Sequence, residues 1–330
     1  MTTLACAVAP LTADHPAFSV VICAYTEERW QDLGRAVRSV LAQRLPAQEI
    51  IVVIDHNQPM LERFETEFPA VRVIANAETR GLSGARNSGV AVAAAPIIAF
   101  LDDDAEADEG WLHGLAEAYR DEHVLGVGGE IIPDWDGGRP RSFPAEFHWV
   151  VGCSYEGLPR TPSPVRNLIG ANMSIRRDVI LEEGGFRTDV GRVGKRPLGC
   201  EETDLCIRAR SRRPEGEFLY EPKARISHRV PRERSGIRYF LARCWAEGLS
   251  KAIVAQESGT RAGLSSERVY VIKTLPRGIA RNLSDTLRGD PAGLARAAAI
   301  AVGVATTALG YAEGRRRAKR PSETRGGEHA

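Results

Sequence analysis

The chain has 330 residues, of which 43% are hydrophobic and 26% charged, enough for a buried core in one large domain or two small ones. A formal net charge of +1 gives no global field that would draw nucleic acid. Six cysteines with no Cys-x-x-Cys pair argue against a zinc ribbon and fit reduced, partly buried thiols of a cytosolic protein.

Residues 1–16 lack the charged start and long apolar run of a signal peptide and read as a flexible leader. Phe18–Cys23 is a β-rich run, and residues 28–43 show helical spacing with Trp30, Leu33, Val37, Val40 and Leu41 on the apolar face. A second strand spans 49–54, a helix 59–68, a third strand 71–75, a small-residue helix 82–94, a fourth strand 97–101, a helix 111–120 and a strand 124–132. The second strand is nearly continuous in Ile and Val, as suits a parallel strand covered on both faces. This alternation predicts an α/β fold, a doubly wound and mostly parallel Rossmann-type sheet flanked by helices. Residues 133–164 are rich in Pro, Gly and aromatics and read as a long loop. Strand character returns at 167–176, a helix at 201–212, and two short strands at 217–221 and 224–228; everything after Ser235 reads as helical.

The chemistry gathers at the strand ends. The fourth strand runs straight into Asp102-Asp103-Asp104. Carboxylates this close repel one another, so folding alone does not cluster them, whereas a divalent cation would. The alternative is an acidic, solvated turn. The first strand ends in Ala24-Tyr25-Thr26-Glu27 and the second in Asp55-His56-Asn57. Parallel strands bring these ends to one edge, where open α/β sheets bind ligands. Gly81-Leu82-Ser83-Gly84-Ala85-Arg86 opens a helix after the third strand; its N–H groups favour anions, and Arg80 or Arg86 could pair with phosphate.

The runs Val-Val-Ile-Cys-Ala-Tyr-Thr-Glu-Glu, Ile-Ile-Val-Val-Ile-Asp, Gly-Leu-Ser-Gly-Ala-Arg-Asn-Ser-Gly and Phe-Leu-Asp-Asp-Asp, in this order and spacing, resemble the family 2 glycosyltransferases. The resemblance covers residues 17–240 and implies a GT-A-like fold, a nucleotide-diphosphate sugar donor and Mg2+ or Mn2+ on the diphosphate. It places the family's Asp-x-Asp element on residues 102–104. Asp102 and Asp103 then lie on the donor side, with Ala24, Tyr25, Glu27, Asp55, Gly84 and Arg86. Asp104 would hold the metal. Thr26, where members often carry Asn, and His56, where Asp is frequent, depart from the pattern without removing a carboxylate.

Asn167–Ile175 resembles the family's acceptor-side strand, which makes Gly170, Ala171 and Asn172 acceptor-binding candidates. Gly199-Cys200-Glu201-Glu202-Thr203-Asp204 resembles its Glu-Asp-x-Asp element. Inversion is implied by the family, and it needs a base to take the acceptor hydroxyl proton. The matching position is Glu202, one carbon longer than the usual Asp, with Glu201 as the rival. Acids at a helix start are also simply favoured there, and Asp204 and Arg208 are spaced to pair along the helix. His228 falls where the family often has a His near metal and diphosphate, surrounded by Arg229, Arg232, Arg234 and Arg238. The alternatives are a sugar nucleotidyltransferase, disfavoured because its basic glycine-rich loop is replaced by Ala-Tyr-Thr-Glu-Glu, and a binding module that has lost catalysis.

Residues 297–312 are uncharged and precede the basic run 315–320. They read either as a helix packed on the domain or as one resting on an anionic bilayer, with Lys273, Arg277, Arg281 and Arg288 adding basic residues at helical spacing. The expected organisation is therefore a leader to 16, a nucleotide-sugar half over 17–132, an acceptor and catalytic half over 133–234, a helical region over 235–314 with peripheral membrane contact, and a disordered basic tail over 315–330. The expected role is a cytoplasmic transferase on the inner face of the cell membrane, acting in cell-envelope polysaccharide, glycolipid or glycoconjugate synthesis on a sugar, lipid-linked or glycan acceptor.

Overall fold

The computed structural model describes residues 15–189, 199–257 and 265–319. The leader, apart from its last two residues, therefore lies outside the described residues, as do positions 320–330 of the expected tail and residues 190–198 and 258–264. Among the described residues, nine strands form one sheet: β1 (Phe18–Ala24), β2 (Glu49–Ile54), β3 (Arg72–Ala75), β4 (Ile97–Asp102), β5 (Ala105–Ala107), β6 (Val124–Trp135), β7 (Ser163–Val165), β8 (Asn172–Arg176) and β9 (Glu217–Val230). Their order is β3-β2-β1-β4-β8-β6-β9-β5, with β7 also on β9.

The β3-β2-β1-β4 half is parallel throughout. Its crossovers run through α1 (Trp30–Leu41), α2 (Gln58–Glu67) and α3 (Leu82–Val92). Beyond β4 the sheet is mixed, because β8 enters antiparallel to both β4 and β6. No crossover helix leads into β8; it follows a long connection that holds a 3-10 helix (Ala145–Val151) and β7. A connection of that kind can deliver a strand in either direction.

β9 is one strand where the sequence suggested two. Its pairing with β6 jumps from Gly129↔Glu221 to Glu130↔Arg225, leaving Pro222–Ala224 as a bulge. Proline cannot donate to the ladder, so the bulge forms there. A Cβ on Gly129 would lie 1.8 Å from the Ala224 carbonyl oxygen, so only glycine admits the bulge.

Apolar side chains fill both faces of the sheet. On one, Val21, Val53, Phe100, Met173, Phe186 and Phe218 pack with Leu205 of α6 (Glu201–Arg212). On the other, Leu33 and Trp111 join Phe147, Phe240 and Ile300. Trp111 opens α4 (Trp111–Ala118), and α5 (Arg177–Glu182) follows β8. Leu41, expected on the apolar face of α1, is exposed, while Trp30, Leu33, Val37 and Val40 are buried.

The C-terminal helices are α7 (Ile237–Glu257), α8 (Ser265–Val269), a π-helical stretch (Tyr270–Thr274), α9 (Leu275–Leu287) and α10 (Ala292–Lys319). Phe240 and Ile300 belong to the sheet's own core, so this region is continuous with the α/β body. Arg166 grips Glu267 through two bonds of 2.6 and 2.9 Å, and Lys251 reaches the same carboxylate at 2.6 Å, tying the β7–β8 connection to α7 and α8. At residue 315, where a disordered tail was expected to begin, the chain is still helical: α10 runs on to Lys319, with Arg317 donating to Glu313 at 2.8 Å one turn back.

Candidate active site

The register of the parallel strands fixes the donor edge. Cys23 of β1 pairs with Asp102 of β4, and Ala24 pairs with Ile54 of β2, so Tyr25, Asp55 and the aspartate run end at one edge. The chain then turns through Asp103-Asp104 into β5, which pairs antiparallel with β9 in the register Ala105↔His228. The Arg229 N–H donates to the Asp104 carbonyl at 2.9 Å. This short pairing brings His228 to the aspartates.

Asp102, Asp104 and His228 each offer a ligand atom, all within 4.8 Å of one another. His228 Nε2 is 3.1 Å from Asp104 Oδ1 and 4.0 Å from Asp102 Oδ2. His228 Nδ1 lies 3.9 Å from Cys153 Sγ, which leaves Nε2 facing the carboxylates. Two hard oxygen donors and one imidazole suit Mg2+ or Mn2+, which keep further positions for water and phosphate oxygens. The donor set therefore fits the expected cation.

Charge around the cluster is heavily compensated. Burial would raise the Asp104 carboxyl, but the His228 imidazolium, Arg29 and Arg234 override it and hold it well below the usual carboxylate range. Burial likewise disfavours a charged His228, and Asp104 outweighs that, holding its pKa well above the ordinary imidazole value. Arg29 NH1 reaches Asp103 Oδ1 at 2.6 Å and Asp104 Oδ2 at 3.2 Å, and Arg234 NH2 approaches Asp104 at 3.6 Å. Two further arginines near His228 turn away: Arg229 binds Asp32 at 2.8 Å, and Arg232 faces Asp136 at 3.7 Å.

Several donor-side expectations need correction. Asp103 is buried and bound by Arg29, so it supports the turn rather than facing a nucleotide. Burial pushes its carboxyl up to about 7 against the pull of Arg29. Arg86 is buried too. Its NH1 donates to Glu201 Oε1 at 3.0 Å, its NH2 donates to the Gly170 carbonyl at 3.1 Å, and Asp102 Oδ1 is 3.8 Å away. A guanidinium used up in this way is a brace, not a free phosphate ligand; the exposed arginine of that loop is Arg80, which donates to the His56 carbonyl at 3.2 Å. A Cβ on Gly84 would sit 2.1 Å from the Thr79 carbonyl oxygen, so Gly84 serves close backbone packing. Ala24 is buried and takes the Asp55 N–H on its carbonyl at 2.7 Å. Tyr25 (46% exposed), Glu27 and the partly open Asp102 remain accessible. Asp55 accepts from Asn76 Nδ2 at 2.7 Å and from the Gly81 N–H at 3.0 Å, bracing the start of α3.

On the acceptor side Asn172 is also reassigned. It is 0% exposed, its Nδ2 donates to the Ala224 and Glu130 carbonyls at 2.9 and 3.1 Å, and its Oδ1 accepts from Trp111 Nε1 at 2.7 Å. Both of its N–H donors are used, one of them pinning the β9 bulge, and at 0% exposure the side chain is closed off from a sugar hydroxyl. Ala171 is buried, while Gly170 is half-buried, and a Cβ there would lie 2.7 Å from Arg86 NH2.

The two glutamates differ. Cys200, in the left-handed region at φ 82°, turns the chain into α6 and sets both at its first turn. Glu201 is buried against Arg86. Glu202 is half-buried; burial, reinforced by Glu201 and opposed by Arg86, pushes its carboxyl up to about 8. The Asp204–Arg208 pair expected along the helix forms at 2.8 Å, and Arg208 also donates to the Glu183 and Gly185 carbonyls. Arg29 was missed in the sequence; its only signal was a cation one turn past the end of β1.

The pattern of the family described as Glycosyl transferase family 2 matches residues 19–183. Glucosyl-dolichyl phosphate glucuronosyltransferase of Haloferax volcanii is 34% identical over 240 residues, covering 72% of this chain and 76% of that protein. Polypeptide N-acetylgalactosaminyltransferase 5 of Rattus norvegicus is 34% identical over 111 residues, 32% of this chain and 12% of that one. Among solved structures, the mannosyltransferase PcManGT from Pyrobaculum calidifontis, in complex with GDP-Man and Mn2+, superposes with a TM-score of 0.59 at 18% identity, covering 95% of this chain and 91% of that one. That likeness carries the fold, a GT-A-like mixed sheet flanked by helices. With strand-end aspartates, a histidine delivered by the last strand and a family pattern spanning the first half, the chain belongs to glycosyl transferase family 2.

Proposed function

We propose that the protein is an inverting, metal-dependent transferase that moves a sugar from a nucleotide-diphosphate donor to a hydroxyl of a lipid-linked acceptor. The observation that carries this reading is the buried Arg86, which joins the metal-side Asp102 to the Glu201-Glu202 helix start. Cation site and candidate base are thereby held on one rigid brace, as direct displacement requires. A cation held by Asp102, Asp104 and His228 would neutralise charge on the donor diphosphate.

The acceptor hydroxyl oxygen attacks the anomeric carbon while Glu202 takes the hydroxyl proton. The bond from that carbon to the diphosphate oxygen breaks, and the diphosphate leaves with the electron pair. Arg234, beside Asp104, is positioned to offset the charge that develops on it. Tyr25 and Asp55 are the donor-side contacts of this reading, and Gly170 the acceptor-side one. Lipid linkage of the acceptor rests on the Haloferax relative, whose name specifies a dolichyl phosphate substrate. A lipid-borne acceptor supports a membrane-associated enzyme, and peripheral contact from the cytoplasmic side is part of this proposed reading.

Glu202→Gln tests the base. Transfer should fall by about a hundredfold or more, with metal-dependent donor binding unchanged in calorimetry. Transfer retained in Glu202→Gln would rule out this assignment and leave Glu201 as the candidate.

A further inference from the structure

Among the described residues, eleven of the fifteen large hydrophobic side chains left exposed lie between Ile237 and Leu309. They form stripes. On α9 and the turn before it, Ile272, Pro276, Ala280, Leu283 and Leu287 recur every three or four residues and all face solvent, with Leu287 90% exposed. Lys273, Arg277 and Arg288 flank that stripe and have no carboxylate partner among the described residues. On α10, Leu294, Ala298, Val302, Ala305 and Leu309 are exposed on the helix's outer face; the next charge beyond them is the half-buried Glu313, paired with Arg317, and the exposed Arg315 and Arg316 follow it. α7 adds Trp245 and Ile253.

α10 is long and apolar enough to cross a bilayer, but its other face is committed to the protein. Ile300 is fully buried in the main core. A Cβ on Gly303 would strike the Phe147 ring at 2.4 Å, and one on Gly310 the Trp245 carbonyl oxygen at 2.3 Å. Arg296 is anchored by Asp285 and Asp290 at 3.2 and 2.9 Å. Spanning would require these contacts to break.

We propose that α7, α9 and α10 form a single docking surface that lies flat in the interface of an anionic lipid bilayer, with the apolar stripes at the acyl boundary and the flanking Lys273, Arg277, Arg288, Arg315 and Arg316 on headgroup phosphates. Apolar stripes bordered by cations are what such a surface requires, and the basic border selects anionic lipid over neutral. This rests on the membrane-side placement proposed above and not on the transfer chemistry.

The test is sedimentation of the full chain with vesicles of phosphatidylcholine alone or mixed with phosphatidylglycerol, alongside Leu283→Glu/Leu287→Glu and Lys273→Glu/Arg277→Glu. These positions are exposed, so thermal melts should match the parent. The parent should bind the mixed vesicles and be released by salt or carbonate, and each double variant should bind roughly tenfold or more weakly. Turnover of donor with a water-soluble acceptor should be unchanged in both, which separates failed docking from failed catalysis. Equal binding by the variants, no preference for anionic vesicles, or retention of the parent in the pellet after carbonate would each overturn the proposal.

Discussion

Glu202 and Arg86 show how much one charge can set. The carboxyl of Glu202 is pushed up to about 8 by burial and by its neighbour Glu201, and Arg86 holds it down from a still higher value. A base must be ionised, so transfer in the parent should rise with pH through about 8 and then level. Arg86→Met should move that rise to higher pH, and a pH–rate profile of both proteins checks it. Stability runs the other way. Between the ordinary carboxylate range and about 8, the folded state holds a proton that the unfolded state has released, so stability falls as pH rises through that window. Glu202→Gln should therefore melt higher than the parent above pH 8, with the difference vanishing near pH 4, as differential scanning fluorimetry would show. The sequence exposed the acids, because runs of carboxylates at strand ends have few structural reasons. It did not reveal which polar residues are used up internally. Asn172 and Arg86 look like ligands in a motif, and only their three-dimensional partners, two carbonyls and an indole for one, a carboxylate and a carbonyl for the other, show them to be braces.

Among the elements, the parallel half was legible because β1, β2 and β4 are short, mainly apolar runs, and α1 between the first two is periodic. β5, three residues long, and the direction of β8 were not legible: neither depends on a local pattern, β5 being set by its pairing with β9 and β8 by its place between β4 and β6. The joining of two short runs into β9 was hidden by Pro222, which reads as a break but sits in a bulge that Gly129 makes room for. The seam between α7 and α10 gives a prediction at this scale. A Cβ on Gly248 would lie 2.2 Å from the Thr307 carbonyl oxygen, so Gly248→Ala forces the two helices apart. Overpacking of this kind costs about 1–3 kcal/mol, and denaturant unfolding should show it as a lower midpoint with an unchanged slope.

At the scale of the whole molecule, the helices after residue 235 contribute Phe240, Leu275 and Ile300 to the core beneath the sheet. Removing residues from 292 onward should thus destabilise the catalytic body itself, seen as a lowered melting temperature and not only as lost membrane binding. Donor binding also belongs at this scale. With Mn2+ present, the correct nucleotide sugar at a hundred times its Kd should stabilise the fold by about 2.7 kcal/mol, and Asp104→Ala should abolish the shift in a thermal screen. The pairing of Ala105 with His228 carries one more consequence, in the order of synthesis. The aspartates leave the ribosome early, and their histidine emerges well over a hundred residues later. Until β9 arrives the acidic turn has neither its imidazole nor Arg234, so a nascent chain cannot capture donor or metal in the native way. The site becomes competent only when most of the sheet has closed, which makes its chemistry a report on finished folding.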